Sequence, residues 1–417
     1  MGTARRRVGY KTTRRAVQLA FLTLVLVGVF FLGANCELWC PFGGVEALYT
    51  YATEGDMLCS LGTANFFALG GVLLATLLLR RAFCGYMCPI GALSEWVGEG
   101  ARRLRIPAIR VPRQLDRWLA LLKYVVLAVI LWLTWRAGEL VFRGFDPCYA
   151  LISRHGTDIT VWAYIVSGII VVASLVIVVP FCRWFCPLAA VLNPFSRFGL
   201  TRIHRHEEAC SNCGLCAKAC PVDIPIDETR QVTAARCMSC LNCLDSCPDK
   251  TLKAITWGPP RVLGYSWPQW ALVAVLLLCT FGAAVASYVF PIPSVVKVYG
   301  APGAQVAKVK LQIHELSCRG RANLLHFFLE RDDLYQIPGY FKLEAWPGPG
   351  VVDIQVSYDP AKTNAEAIKR AITEPYYDVL ADFWRMSPFR IAGYDPLAQD
   401  ADLNLELDGP APPTLPR

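Results

Sequence analysis

Five stretches of the chain are built almost wholly of apolar side chains: residues 16–34, 61–79, 118–135, 161–179 and 268–290. Each approaches the roughly 20 residues that a helix needs to cross the ~30 Å hydrocarbon core of a bilayer. The pattern predicts five membrane-spanning helices, the shortest at 61–79, where Asn65 interrupts the apolar run. Beyond the fifth stretch the periodicity changes. Residues 306–313 alternate as a strand does, 321–334 carry a helical apolar stripe, 341–346 and 351–358 flank a Pro-Gly-Pro-Gly turn, and 364–372 return to helical spacing. This order predicts an α+β ferredoxin-like (βαββα) domain. Residues 393–417, rich in proline and acid, are expected to be disordered.

Composition agrees with a membrane protein. Only 18% of the 417 residues are charged, against about a quarter in soluble domains, and 54% are hydrophobic. The charges also sort by segment. The N-terminal tail carries Arg5, Arg6, Arg7, Lys11, Arg14 and Arg15, and 80–117 carries eight arginines, whereas 35–63 has neither Lys nor Arg. The positive-inside rule then places the N-terminus, 80–117 and 180–267 in the cytoplasm, and five spans place the C-terminal region outside. The expected location is a bacterial inner membrane, with the first span an uncleaved anchor. Residues 1–290 have a net charge of +11 and residues 291–417 of −3. The positive charge thus follows topology and is no nucleic-acid footprint.

The chemistry lies in the cysteines. Cys210, Cys213, Cys216 and Cys220-Pro221 are followed by Cys237, Cys240, Cys243 and Cys247-Pro248, both in the pattern C-x₂-C-x₂-C-x₃-C-P. Three cysteines at this spacing wrap one cubane cluster, and the fourth serves its neighbour. The expected assignment is Cys210, Cys213, Cys216 and Cys247 to one [4Fe–4S] cluster, and Cys237, Cys240, Cys243 and Cys220 to a second. Zinc sites use spaced pairs, and a disulfide framework needs no repeated proline-ended run.

A second pattern recurs at the span ends: Cys36-x₃-Cys40-Pro41, Cys84-x₃-Cys88-Pro89 and Cys182-x₃-Cys186-Pro187, with a half-copy at Asp146-Pro147-Cys148. It marks a duplicated two-span unit. Topology assigns Cys84, Cys88, Cys182 and Cys186 to the inner face, and Cys36, Cys40 and Cys148, with Cys59 nearby, to the outer. The i, i+4 spacing is expected to set each pair on one helical face. Two pairs converging could then form a four-thiolate site for a metal, a further cluster or other redox use; buried small residues or an outer disulfide are the alternatives. Cys279, alone in the fifth span, is expected to pack.

The combination Phe83-Cys84-x₃-Cys88-Pro89-x-Gly91, Phe181-Cys182-x₃-Cys186-Pro187 and a double cluster run resembles the membrane polyferredoxins. These include the quinol-dehydrogenase subunit of periplasmic nitrate reductase, the nitrous-oxide-reductase maturation flavoprotein and a copper-reducing cytochrome-oxidase assembly protein. The run Cys40-Pro41-Phe42-Gly43-Gly44-Val45-Glu46 is also similar to members of the group. The resemblance covers about residues 16–290. It implies electron exchange between cytoplasmic clusters, a quinone pool and a redox protein partner. No Ser/Thr-Gly-Ala-Thr flavin-attachment sequence occurs. Residues 352–372 resemble heavy-metal-associated domains of copper chaperones, but Cys318 is followed by Arg321 where such domains carry a second cysteine. A partner or His314 would have to complete a metal site there.

The resulting organisation is a membrane domain (1–200), a ferredoxin insert (201–260), a fifth span (261–292), a heavy-metal-associated-like domain (300–392) and a tail (393–417). The expected function is electron transfer between quinone and [4Fe–4S] clusters, as a redox subunit. A metal reductase or metalloenzyme maturation factor is the alternative. Glu46, Asp146 and His155 are candidate proton partners for a quinone, whereas Lys123 is expected to snorkel to the interface.

Overall fold

The computed structural model describes residues 9–31, 40–54, 63–137, 141–153, 160–248, 254–259, 266–299, 305–314, 316, 319–330, 337–347, 350–378 and 383–394. Its helices are α1 (Tyr10–Phe30), α2 (Pro41–Glu54), α3 (Thr63–Leu79), α4 (Ala82–Tyr86), α5 (Pro89–Arg103), α6 (Arg113–Leu119), α7 (Leu122–Ala137), α8 (Pro147–Ile152), α9 (Val161–Val176), α10 (Pro180–Trp184) and α11 (Pro187–Arg197). Strand β1 (Arg202–Arg205), the one-turn helices α12 (Leu215–Lys218) and α13 (Asn242–Asp245), strand β2 (Ile255–Gly258) and α14 (Gln269–Val289) follow. The chain divides into two units: 1–46 with 64–289, and 47–63 with 290–417.

Among the described residues, three helical stretches of the first unit are long and apolar enough to cross a membrane: α1, α6 with α7 (Arg113–Ala137), and α14. Helices α3 and α9 are apolar but shorter, at 17 and 16 residues. Close approach of α3 and α14 depends on Gly71, where a Cβ would stand 2.5 Å from the Cys279 carbonyl oxygen and 2.6 Å from the Ala283 Cβ. Cys279 is buried in that contact.

The segment from β1 to β2 satisfies the polar ends of the helices. At the C-terminus of α3, the carbonyls of Leu77, Leu78 and Leu79 accept from Leu200 N–H (2.8 Å), Thr201 N–H (3.1 Å) and Ser239 Oγ (2.8 Å). Such carbonyls have no partner within their own helix. The chain then bends at Arg80, which has a left-handed φ of 62°. Its buried guanidinium donates to the carbonyls of Val232, Thr233 and Ala234. At the other end, Asp245 accepts from the backbone N–H of Lys11 (2.9 Å) and Tyr10 (3.3 Å), capping α1 from a distant part of the chain. Strands β1 and β2 pair antiparallel, Arg202 opposite Gly258 and Arg205 opposite Ile255, and so close the loop holding both cysteine runs.

The second unit is an antiparallel sheet with two helices. Its elements are β3 (Val295–Val298), β4 (Ala307–His314), α15 (Arg319–Leu329), β5 (Tyr340–Ala345), β6 (Val351–Tyr358), α16 (Ala365–Thr373), β7 (Tyr376–Asp378), β8 (Phe383–Arg385) and β9 (Arg390–Ile391). Strand order is β3-β5-β6-β4-β9, with β7 and β8 forming a separate hairpin. Two edge strands, β3 and β9, extend the sheet beyond the three strands read from the periodicity. They were hidden because a four-residue and a two-residue strand leave almost no alternation to detect. Leu311 and Ile313 of β4 and Ile354 and Val356 of β6 meet Leu325 and Phe328 of α15 and Ile368 and Ile372 of α16 in the core. Cys36, Cys59, His155, Cys318 and residues 395–417 lie outside the described residues.

Candidate functional site

The two cysteine runs fold into the same local shape. Cys213 is flanked by left-handed Asn212 (φ 54°) and Gly214 (φ 67°), and Cys240 by left-handed Ser239 (φ 48°) and Leu241 (φ 59°). A one-turn helix, α12 or α13, follows each. Alternating left- and right-handed residues turn successive N–H groups into a concave nest suited to an anionic body. Left-handed serine, asparagine and leucine each cost about 1–2 kcal/mol, so the loop is held by its surroundings and not by local preference.

Cys216, Cys237, Cys240 and Cys243 are buried, Cys210, Cys220 and Cys247 half-buried, and Cys213 exposed. Cys220, last of the first run, lies in the electrostatic field of Cys240 and Cys237, and its Sγ accepts from Ile224 N–H at 3.4 Å. Cys243 feels Cys240, Cys237 and Cys220 in turn, and Cys216 feels Cys210. Burial pushes the Cys220 thiol up to about 12, whereas the Leu215 N–H and the Ser211 hydroxyl hold the exposed Cys213 thiol below its usual value. Eight thiols in two nests fit iron–sulfur ligation by donor type and loop shape. Among the described residues no three Cys, His, Asp or Glu side chains close on a single metal ion.

The C-x₃-C-P motifs are not arranged as their spacing predicts. Cys84 lies in α4, but Cys88 has extended backbone (φ −64°, ψ 118°) and is the N-cap of α5, with Pro89 in the first helical position. Cys182 in α10 and Cys186 before α11 repeat this. The proline is the reason: it lacks an N–H to continue the preceding helix, yet its fixed φ suits the first turn of the next. Each pair therefore spans a helix break instead of sharing one helical face.

The division into inner and outer sets also needs correction. Cys40 and Cys148 line one cavity of about 110 Å³ together with Cys88, Cys182 and Cys186. Cys40 precedes Pro41 of α2, and Asp146 caps α8 by accepting from Cys148 N–H at 3.0 Å. Both short helices thus start at the cavity instead of leaving their cysteines at a far interface. The rest of the wall is apolar apart from Asp146 and holds five phenylalanines, among them Phe42 and Phe142, whose rings meet edge to face at 5.0 Å. Burial pushes the Asp146 carboxyl up to about 6, against the Cys148 and Tyr149 N–H groups that favour its charged form. Burial likewise pushes up the thiols of Cys40, Cys88, Cys182 and Cys186, Cys88 to about 12 and Cys186 to about 11.

The cavity motif abuts the second cysteine run. A Cβ on Gly85, between Cys84 and Cys88, would stand 2.9 Å from the Met238 carbonyl oxygen and 3.8 Å from the Cys240 Cβ. Arg81 N–H donates to the Cys237 carbonyl at 3.4 Å. Asp116 fixes the same junction: it accepts from Arg183 Nη2 (2.6 Å) and Trp184 Nε1 (2.9 Å) of α10, and pairs with Arg236 beside Cys237. Lys123 does not snorkel; it is 3% exposed and donates to the Arg183 carbonyl at 3.1 Å. Gln18 reaches the Gly85 carbonyl at 3.0 Å, and Arg14 pairs with Glu95 in the interior. Sequence reasoning missed these contacts, although polar residues inside apolar stretches marked several of them. Asn65 is one, donating to the Cys40 carbonyl at 3.3 Å.

Comparison with known proteins agrees with this architecture. The 4Fe-4S binding domain family matches twice, at 61–107 and 159–206, the two segments that carry the Phe-Cys-x₃-Cys-Pro motif. The 4Fe-4S dicluster domain family matches 202–248. The chain is 32% identical over 221 residues to YccM of Escherichia coli strain K12, provisionally named an electron transport protein, covering 51% of this chain and 61% of that relative. It is 30% identical over 234 residues to an uncharacterized protein of Methanocaldococcus jannaschii, covering 55% of this chain and 91% of the relative. To the ferredoxin-type protein NapH of Haemophilus influenzae it is 29% identical over 267 residues, 58% of this chain and 88% of NapH. No solved structure matches the chain. Paired cysteine runs, a repeated membrane motif packed against them and these relatives together place the chain in the membrane polyferredoxin family.

Proposed function

We propose that this protein transfers electrons between a quinone pool and a redox protein partner. The observation that carries the reading is the direct packing of the Cys84–Cys88 motif on the Cys237–Cys243 run, through Gly85 and Arg81. A motif lining an apolar cavity thereby touches an iron–sulfur loop with no intervening layer.

In this reading Cys210, Cys213, Cys216 and Cys247 hold one [4Fe–4S] cluster, and Cys237, Cys240, Cys243 and Cys220 hold the other. When bound, the clusters supply one-electron redox chemistry. A quinol releases two electrons and two protons in becoming a quinone. The phenylalanines of the wall receive the ring, and Asp146 takes a proton at its carboxylate. The partner docks at the exposed Cys213 side of the first run. Five helices cross a bacterial inner membrane, including α3 and α9, with 80–117 and the ferredoxin segment in the cytoplasm and the second unit outside.

The test is electron paramagnetic resonance of the anaerobically purified chain with a menaquinol or ubiquinol analogue. Two interacting [4Fe–4S] signals that appear on quinol addition are expected, at a rate lowered by Asp146→Asn. Clusters that dithionite reduces but neither quinol does would overturn the quinone assignment.

A further inference from the structure

Arg14, one turn into α1, is 0% exposed. Its Nη2 pairs with Glu95, while Nε and Nη1 are buried with no partner among the described residues. Two donor groups of a buried guanidinium left unpaired carry a desolvation cost, so a group outside the polypeptide has to accept from them. The surroundings point to that acceptor. Asp245, two residues past Cys243, binds the first amides of α1, and Gln18, one turn beyond Arg14, reaches the Gly85 carbonyl. Gly85 in turn packs on Met238 and Cys240. The Arg14 face of α1 is thereby held against the second cysteine run, and Arg14 lies in the field of Cys240.

The pair with Glu95 has a direction. At Cys240 the influence of Arg14 exceeds that of Glu95. Glu95, and not Arg14, lines an open cavity of about 380 Å³. The positive end of the pair therefore faces the cysteines. Arg80, the buried arginine in the field of Cys237, gives its guanidinium to three backbone carbonyls instead. The first run has a different neighbourhood: Asp227 lies in the field of Cys216, and the exposed Lys218 in that of Cys213.

We propose that Arg14 is the counter-cation of the cluster on Cys237, Cys240, Cys243 and Cys220, donating from Nε and Nη1 to sulfur there and raising that cluster's reduction potential. Reduction adds one electron and one negative charge to a cluster while its thiolates stay unchanged, and nearby charge and hydrogen bonds to sulfur set the potential. A fixed cation favours the reduced form, the more so in a buried site of low dielectric. The inference rests on the cluster assignment made in the proposed function. It makes the first turns of α1 part of the cofactor site, and Arg14 a residue that tunes the cluster as well as a topological charge.

The test is a dithionite redox titration, read by electron paramagnetic resonance, of the anaerobically purified full-length chain and its Arg14→Met and Glu95→Gln variants. An aqueous paramagnetic relaxant marks the cluster nearer the exposed Cys213 by broadening its signal. In Arg14→Met the other, less broadened signal should move to lower potential. At a fixed ambient potential its reduced-to-oxidised ratio should fall roughly tenfold, about 59 mV for one electron, while the broadened signal holds. Glu95→Gln should move the same signal upward, because Arg14 loses the charge that offsets it; loosened packing would not give opposite signs. Equal potentials in the native and Arg14→Met chains, or a shift confined to the broadened signal, overturn the proposal. If Arg14→Met does not insert, Glu95→Gln decides, and an unmoved potential there overturns it. A native chain with neither signal removes the cluster assignment and this inference with it, whereas two native signals indifferent to Arg14 refute the inference and leave the assignment standing.

Discussion

Replacing Asp116 tests whether the iron–sulfur segment is stapled to the membrane helices by buried charge. The carboxylate is 3% exposed at its side chain and serves two arginines, Arg183 (7%) and Arg236 (30%), together with the Trp184 indole. Asp116→Ala leaves Arg183 in the interior with Asp223 Oδ2, at 4.0 Å, as its nearest carboxylate. Breaking a buried pair from one side costs about 3–5 kcal/mol. At 1.4 kcal/mol per factor of ten, the junction should open roughly a hundred- to several-thousand-fold more often. Asp116→Asn keeps an acceptor for Trp184 but removes the charge, so it should fall between the native protein and the alanine variant. Hydrogen–deuterium exchange in detergent or nanodiscs reads the effect directly. Protection should drop at 232–239 and 180–185 and be unchanged in the second unit. Native-like protection at 232–239 in the alanine variant would refute the staple.

Other expectations follow from single contacts. Gly71→Ala should destabilise the α3–α14 packing by about 1–3 kcal/mol, because its methyl meets the Cys279 carbonyl and the Ala283 Cβ at overpacked distances; detergent-resistance melting checks it. Asp245→Ala removes the cap from α1 and should cost about 0.5–2 kcal/mol, visible as faster exchange of the Tyr10 and Lys11 amides. Burial raises Asp146 from 3.8 to about 6, so between those values the folded protein holds a proton that the unfolded chain has lost. Stability should therefore fall as pH rises through that window, and Asp146→Asn should flatten the slope.

The dicluster run was legible because its meaning is written twice at fixed spacing, and each copy folds with the same left-handed pair around its second cysteine. Apolar length likewise located the helices α1, α3, α7, α9 and α14. Positions that depend on what the chain does after a span were not legible. Arg80 and Arg81 count as cytoplasmic charge in any topology rule, yet both are buried, one holding the carbonyls of Val232–Ala234 and the other facing thiols. Cys40 and Cys148 look like cysteines of an outer loop until Pro41 and Pro147 are seen to start helices at the cavity. Composition reports how many charges a segment has, while burial is decided by partners that lie more than a hundred residues away.

The ends of α1 and α3 take their hydrogen-bond partners from residues 200–245, which a ribosome makes long after both helices. Completion of the helical bundle is therefore tied to the arrival, and by extension the metallation, of a later segment. Starving cells of iron should leave these helix ends frayed and the newborn chain open to membrane proteases, making turnover a built-in check on cofactor loading.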